Sequence, residues 1–127
     1  MQKLYKYTKE ESITYFEKVK PVSIDDIAVN DIVYLKIESP LKYGIRELKY
    51  YGKIIKITKE YFYILPYCNA VTNDWKTSQI ELLEKNKKKY TKQWSKKRIL
   101  ELYLVKTKVK NEIREYATNN SDYVDKC

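Results

Sequence analysis

Histidine is absent from this 127-residue chain. That removes the commonest general base and the commonest zinc ligand. Cysteine occurs twice, at Cys68 and Cys127, with no C-x-x-C or other metal-ligand spacing, so a structural zinc site has no support. Two such cysteines, one of them on a polar tail, read as free thiols in a reducing compartment. Glycine also occurs only twice and proline three times, which excludes collagen-like and Gly/Pro-linker classes and any phosphate-cradling glycine loop. No apolar run approaches the roughly 18 residues of a membrane span. The opening stretch MQKLYKYTKEES is charged and lacks the apolar core of a signal peptide. The expected setting is therefore intracellular: cytoplasm, nucleus or a virion. Catalytic groups are equally scarce. Asp25, Asp26, Asp31 and Asp74 stand in turn-like or cap-like contexts, and Cys68 has no histidine to activate it. These absences predict a protein that is not an enzyme and holds neither cofactor nor metal.

What is present suffices for one domain. Apolar residues make up 43% of the chain, enough for a core. Thr8-Lys9-Glu10-Glu11 has the form of a capping box, and Ile13, Phe16 and Val19 follow at helical spacing. An N-terminal helix is expected, stopped by Lys20-Pro21. Then come runs rich in β-branched and aromatic residues: 31–38, 48–58, 61–67 and 75–83, the last read as one strand or as two short ones broken near Ser78. Lys59-Glu60 leaves room for a tight turn. Short strands with close turns predict a small antiparallel barrel or sandwich. Trp75, Ile32, Val33, Leu35, Ile55, Ile57, Ile64, Leu65 and Leu82 are its expected core. Farther on, Leu102, Val105, Val109, Ile113 and Tyr116 fall on one stripe at 100° per residue, beside a row of Lys106, Lys110 and Arg114. This predicts a C-terminal helix, with a strand over 98–105 as the competing reading. Leu100 and Leu104 oppose the stripe, so such a helix would be covered on both faces, by a homodimer, an assembly partner or the N-terminal helix. The resulting division is 1–24 helix and linker, 25–84 barrel, 85–118 basic segment and helix, 119–127 polar tail.

Residues 30–84 resemble the Tudor/SH3-like small-barrel superfamily. Asn30-Asp31-Ile32-Val33 stands where that group often has Gly-Asp-x-Val. Tyr50-Tyr51-Gly52-Lys53-Ile54-Ile55-Lys56-Ile57 looks like its second strand, with Gly52 as the small residue that lets another backbone approach. Ser78-Gln79-Ile80-Glu81-Leu82-Leu83 resembles the closing turn and strand. The resemblance implies an α+β protein: a small SH3-like antiparallel β-barrel flanked by an N-terminal and a C-terminal helix. Members of that superfamily bind methylated tails, proline-rich peptides, DNA or RNA, and are rarely catalytic.

The net charge is +9, and its location is unusual. Lys85 to Arg98 (KNKKKYTKQWSKKR) holds eight basic residues and no acidic one, whereas the other 113 residues carry 18 basic and 17 acidic side chains. Such a local patch is the footprint of a polyanion. Lys87, Lys88, Lys89, Lys92, Lys96, Lys97 and Arg98 are the expected phosphate contacts. Tyr90 and Trp94, four apart, would share a helix face and stack on bases. Lysine predominates over arginine, which favours phosphate contact without sequence preference. The alternatives are a solvated lysine linker with Trp94 in the core, or another acidic partner.

The 14 tyrosines are the second feature. Tyr34, Tyr43, Tyr51, Tyr63, Tyr67 and Trp75 fall in or beside the expected barrel. Rings so grouped form either a peptide groove that cages a methylated cation, or packing on strands. Three function classes follow: a nucleic-acid-binding module of DNA or RNA, a protein-interaction or structural accessory protein of virus or phage type, and a Tudor-like peptide reader.

Overall fold

A computed structural model describes residues 5–41 and 44–118. Seven strands form one antiparallel sheet: β1 (Tyr5–Pro21), β2 (Ile32–Leu41), β3 (Gly44–Ile57), β4 (Tyr61–Asn69), β5 (Asp74–Lys76), β6 (Lys92–Ser95) and β7 (Ile99–Thr118). Their spatial order is β5-β1-β7-β2-β3-β4-β6, so the sheet is open, with β5 and β6 at its edges. Helix α1 (Thr77–Lys85) and the single turn α2 (Lys87–Tyr90) connect β5 to β6.

This corrects the expected small barrel with two flanking helices. The segment read as the N-terminal helix is β1, and the segment read as the C-terminal helix is β7. The two pair from Tyr5↔Thr118 to Pro21↔Tyr103. The pairing gives the facing backbone groups of both strands partners, and Ile13, Thr14 and Phe16 bury side chains that a lone helix would leave half exposed. The supposed capping residue Glu11 turns instead to Lys76 and the Tyr116 hydroxyl. On β7, Val105-Lys106-Thr107-Lys108-Val109-Lys110 alternates strictly, the period of a strand. The competing strand over 98–105 is thus the one present, and it runs on to Thr118. The premise of a doubly covered C-terminal helix falls with it. Leu104 packs at the edge of the core, while Leu100 is exposed, next to an irregularity where Lys36 and Ile37 meet Glu101 and Ile99.

The opposite correction applies to 75–83. Only Asp74–Lys76 is strand. Thr77–Lys85 is helical because Ile80 and Leu83, three apart, lie on one helix face and pack on the sheet. Leu82 points away from that face and is exposed rather than core.

Alternation along the strands divides the apolar residues between two faces. One face gathers Val33, Leu35, Ile37, Tyr50, Ile54, Phe62, Ile64 and Leu102, closed by Ile27, Trp94 and Ile99. The other gathers Phe16, Tyr34, Tyr51, Leu65, Tyr67 and Cys68 under Trp75, Ile80 and Leu83. Ile32 and Ile55 pack against this second cluster and Ile57 against the first. Cys68 is buried and disulfide-bonded, not the free thiol expected; Cys127 lies outside the described residues.

β3 bends at two irregularities opposite β4, at Tyr51/Gly52 and at Ile54/Lys56. A Cβ on Gly52 would stand 2.5 Å from the Leu65 carbonyl oxygen and 3.0 Å from the Ile64 side chain. The backbone oxygen cannot swing aside without moving β4. Gly52→Ala is therefore expected to destabilise by about 1–3 kcal/mol, the usual cost of overpacking. A urea titration checks this; an unchanged midpoint would show that β4 shifts freely.

Candidate nucleic-acid interface

The basic window does not form one helix. α2 ends at Tyr90, Thr91 is extended, and β6 begins at Lys92. The window is thereby divided between the two faces of the sheet. Tyr90 stays exposed, whereas Trp94 lies opposite Phe62 and packs into the first core. Its indole nitrogen is buried with no hydrogen-bond partner among the described residues. The two rings do not share a face.

The charges divide in the same way. Lys92 Nζ donates to the Tyr50 hydroxyl at 3.3 Å and lies 5.1 Å from that ring's centre. Lys96 Nζ is 3.8 Å from Asp25 and Arg98 is 3.8 Å from Glu38. Lys97 is exposed on the short 3-10 turn that follows β6. In contrast, Lys85, Lys87, Lys88 and Lys89 are exposed and make no ion pair among the described residues. Together with Glu84, Asn86 and Thr91 they border a groove of about 830 Å³ whose floor is Ile55 and Tyr63. Tyr63 comes to the groove because β4 alternates: Phe62 and Ile64 enter one core, and Tyr63 points to the other side. Lys56, paired with Tyr63 in register, holds its ammonium 5.5 Å from the ring centre.

One acid stands in the groove wall, and it is already engaged. Glu84 accepts from Lys53 Nζ at 2.8 Å and from the Tyr67 hydroxyl. Burial pushes its carboxyl up, but the bonds from Lys53 and Tyr67 and the charge of Lys87 hold it below the ordinary range. Burial and the same carboxylate push the Tyr67 phenol up. Glu84 thus keeps a negative charge that Lys53 balances, and the four rim lysines remain available.

The aromatic residues expected to line a peptide groove take three different positions. Tyr34, Tyr51 and Tyr67 are buried in the second core, where Phe16 stacks on Tyr51 at 4.8 Å and Tyr34 meets Tyr51 edge-on at 5.5 Å. Trp75 packs against the same cluster. The exposed face of Tyr34 is covered from within the chain: Lys18 Nζ lies 3.6 Å from its centre and 5.2 Å from that of Tyr103. Tyr63 alone of the group lies on the open groove. Tyr43 lies outside the described residues.

The sequence names Tyr63 for a peptide groove and Ile55 for the core, and connects neither with the lysines. The signal was faint: one tyrosine out of phase with buried neighbours on both sides. Among the described residues no three Cys, Asp or Glu side chains come together as metal donors, and no helix is long and apolar enough to cross a membrane. Compared with protein-family models, curated proteins and solved structures, the chain matches none.

Proposed function

We propose that this protein is a non-catalytic nucleic-acid-binding module that holds the phosphate backbone at the α1–α2 groove without strong sequence preference. The observation that carries this reading is the set of four exposed lysines, Lys85, Lys87, Lys88 and Lys89, that border one groove and make no ion pair among the described residues. Lysine offers a point charge rather than a bidentate fork, so it fits phosphates better than base edges. The one arginine of the window, Arg98, is already set against Glu38.

Binding should weaken steeply with salt, because each neutralised phosphate releases counterions. Replacing Lys88 and Lys89 together by alanine is expected to flatten the plot of log K against log salt by about 1.5–2, and to weaken all sequences alike. Lys96→Ala, which removes a partner of Asp25 rather than a free charge, should change the slope far less. Fluorescence polarisation across a salt series measures both. Binding that ignores salt, or that survives the double replacement with its slope intact, would favour a protein partner instead.

A further inference from the structure

Resting on that reading, we infer that the groove takes a single strand, with Tyr63 as the platform on which one base stacks. The floor is the reason. A surface meant only for phosphates needs cations and water-facing polar groups. Here the cations form the rim, and the bottom is an aliphatic side chain beside a ring, Ile55 and Tyr63. A duplex presents phosphates outward and keeps its base faces inside the stack, so it would leave this floor unfilled. A single strand exposes base faces between its phosphates. It can lay a base against Tyr63 while neighbouring phosphates reach Lys85, Lys87, Lys88 and Lys89, the arrangement of ring and cationic groove that suits strands of any sequence.

The size and setting agree. About 830 Å³ is room for a base and its sugar, within the usual range of a small-molecule pocket. Lys56 sits at 5.5 Å from the centre of the Tyr63 ring, on the strand beside it. A base stacked on the ring would therefore have a further ammonium nearby for its own phosphate. Tyr90, the exposed ring of the window, borders a neighbouring groove with Lys92 and Tyr50, so it is not the platform of this one.

The test separates bases from phosphates. Oligothymidine and oligouridine are compared with a strand of equal length that has the sugar-phosphate chain but no bases, and with a duplex. The expected result is that a base-bearing strand binds about tenfold or more tighter than the abasic strand, and tighter than the duplex at equal salt. Tyr63→Ala should erase that advantage and leave abasic binding unchanged, and Tyr63→Phe should retain it. Melting curves on both variants establish that they are folded, and the phenylalanine variant carries the test if the alanine variant is not. Equal, salt-dependent binding of abasic and base-bearing strands would overturn the single-strand inference while leaving the phosphate reading intact. Tighter binding of the duplex would do the same. Absence of salt-dependent binding to any of the four would overturn both.

Discussion

Trp94→Ala is expected to lower stability by about 3 kcal/mol, the low end for removing a large aromatic side chain from a core. The melting temperature should fall by about 10 °C or more for a chain of this size. The argument is positional. β6 pairs with β4 over four residues, and Trp94 is the side chain through which that edge strand joins the first core, opposite Phe62. Removing the indole opens a space next to Phe62 and leaves β6 with few apolar contacts. Because the indole nitrogen has no hydrogen-bond partner among the described residues, Trp94→Phe should cost less than about 1.5 kcal/mol. Nucleic-acid affinity, corrected for the folded fraction, should be the same in both variants. Thermal melts beside polarisation titrations decide the matter. A Trp94→Ala protein with normal melting and lost binding would mean that the ring stacks on bases after all.

The second large effect lies at the base of the β1–β7 ribbon. Lys76 is buried and Glu11 half-buried, with the ammonium 3.1 Å from the carboxylate; Lys9 adds a contact at 3.5 Å and the Tyr116 hydroxyl donates to the same carboxylate. Lys76→Met should destabilise by about 2–3 kcal/mol, because the half-buried carboxylate keeps its desolvation cost with only Lys9 and the Tyr116 hydroxyl left to offset it. Adding Glu11→Gln should recover much of that loss, since no uncompensated charge then remains. Burial pushes the Glu11 carboxyl up, but the Tyr116 hydroxyl and the Lys76 and Lys9 ammonium groups pull it further down, to a net value below the ordinary carboxylate range. Its contribution is therefore fully present above that range and is lost as pH falls through the lowered value. Urea melts at neutral pH and in acid below the ordinary carboxylate range should show the Lys76→Met penalty shrinking as Glu11 protonates. A penalty independent of pH would assign the loss to packing of the lysine stem alone.

The correct readings and the errors in the sequence have distinct physical origins. The strands over 31–38, 48–58 and 61–67 were legible because each meets its neighbour within a few residues, so local composition and turn chemistry decide the pairing. The expected tight turn at Lys59-Glu60 forms, closed by Thr58 N–H donating to the Tyr61 carbonyl at 2.8 Å. Gly52 was legible as a site of close approach, because few other reasons put glycine inside such a strand. The two termini were misread because each can satisfy a helical template. Val105, Val109 and Ile113 are spaced by four, which is both a helix repeat and twice the strand repeat. The lysines between them, at 106, 108 and 110, break the tie in favour of a strand, but only if weighed with the apolar residues. Along most of its length β7 pairs with β1, about a hundred residues earlier, and no local pattern announces it.

Sequence alone determined the inventory: a single-domain quantity of apolar residues, no histidine, and nearly all of the net charge in the window 85–98. Those are sums over residues and do not depend on how the chain is arranged. Tertiary structure alone decided which charges are available and what lies beneath them. Pairing of β6 with β4 carried Trp94 into one core and set Lys92, Lys96 and Arg98 against Tyr50, Asp25 and Glu38. The helical path of α1 and α2 left Lys85, Lys87, Lys88 and Lys89 on the other side, above Ile55 and Tyr63. A contiguous run of charge was split: Lys96 and Arg98 face carboxylates, Lys92 meets Tyr50, Lys97 stays exposed, and four lysines border the open groove. The division follows from strand alternation and from partners distant in sequence, neither of which the run itself encodes.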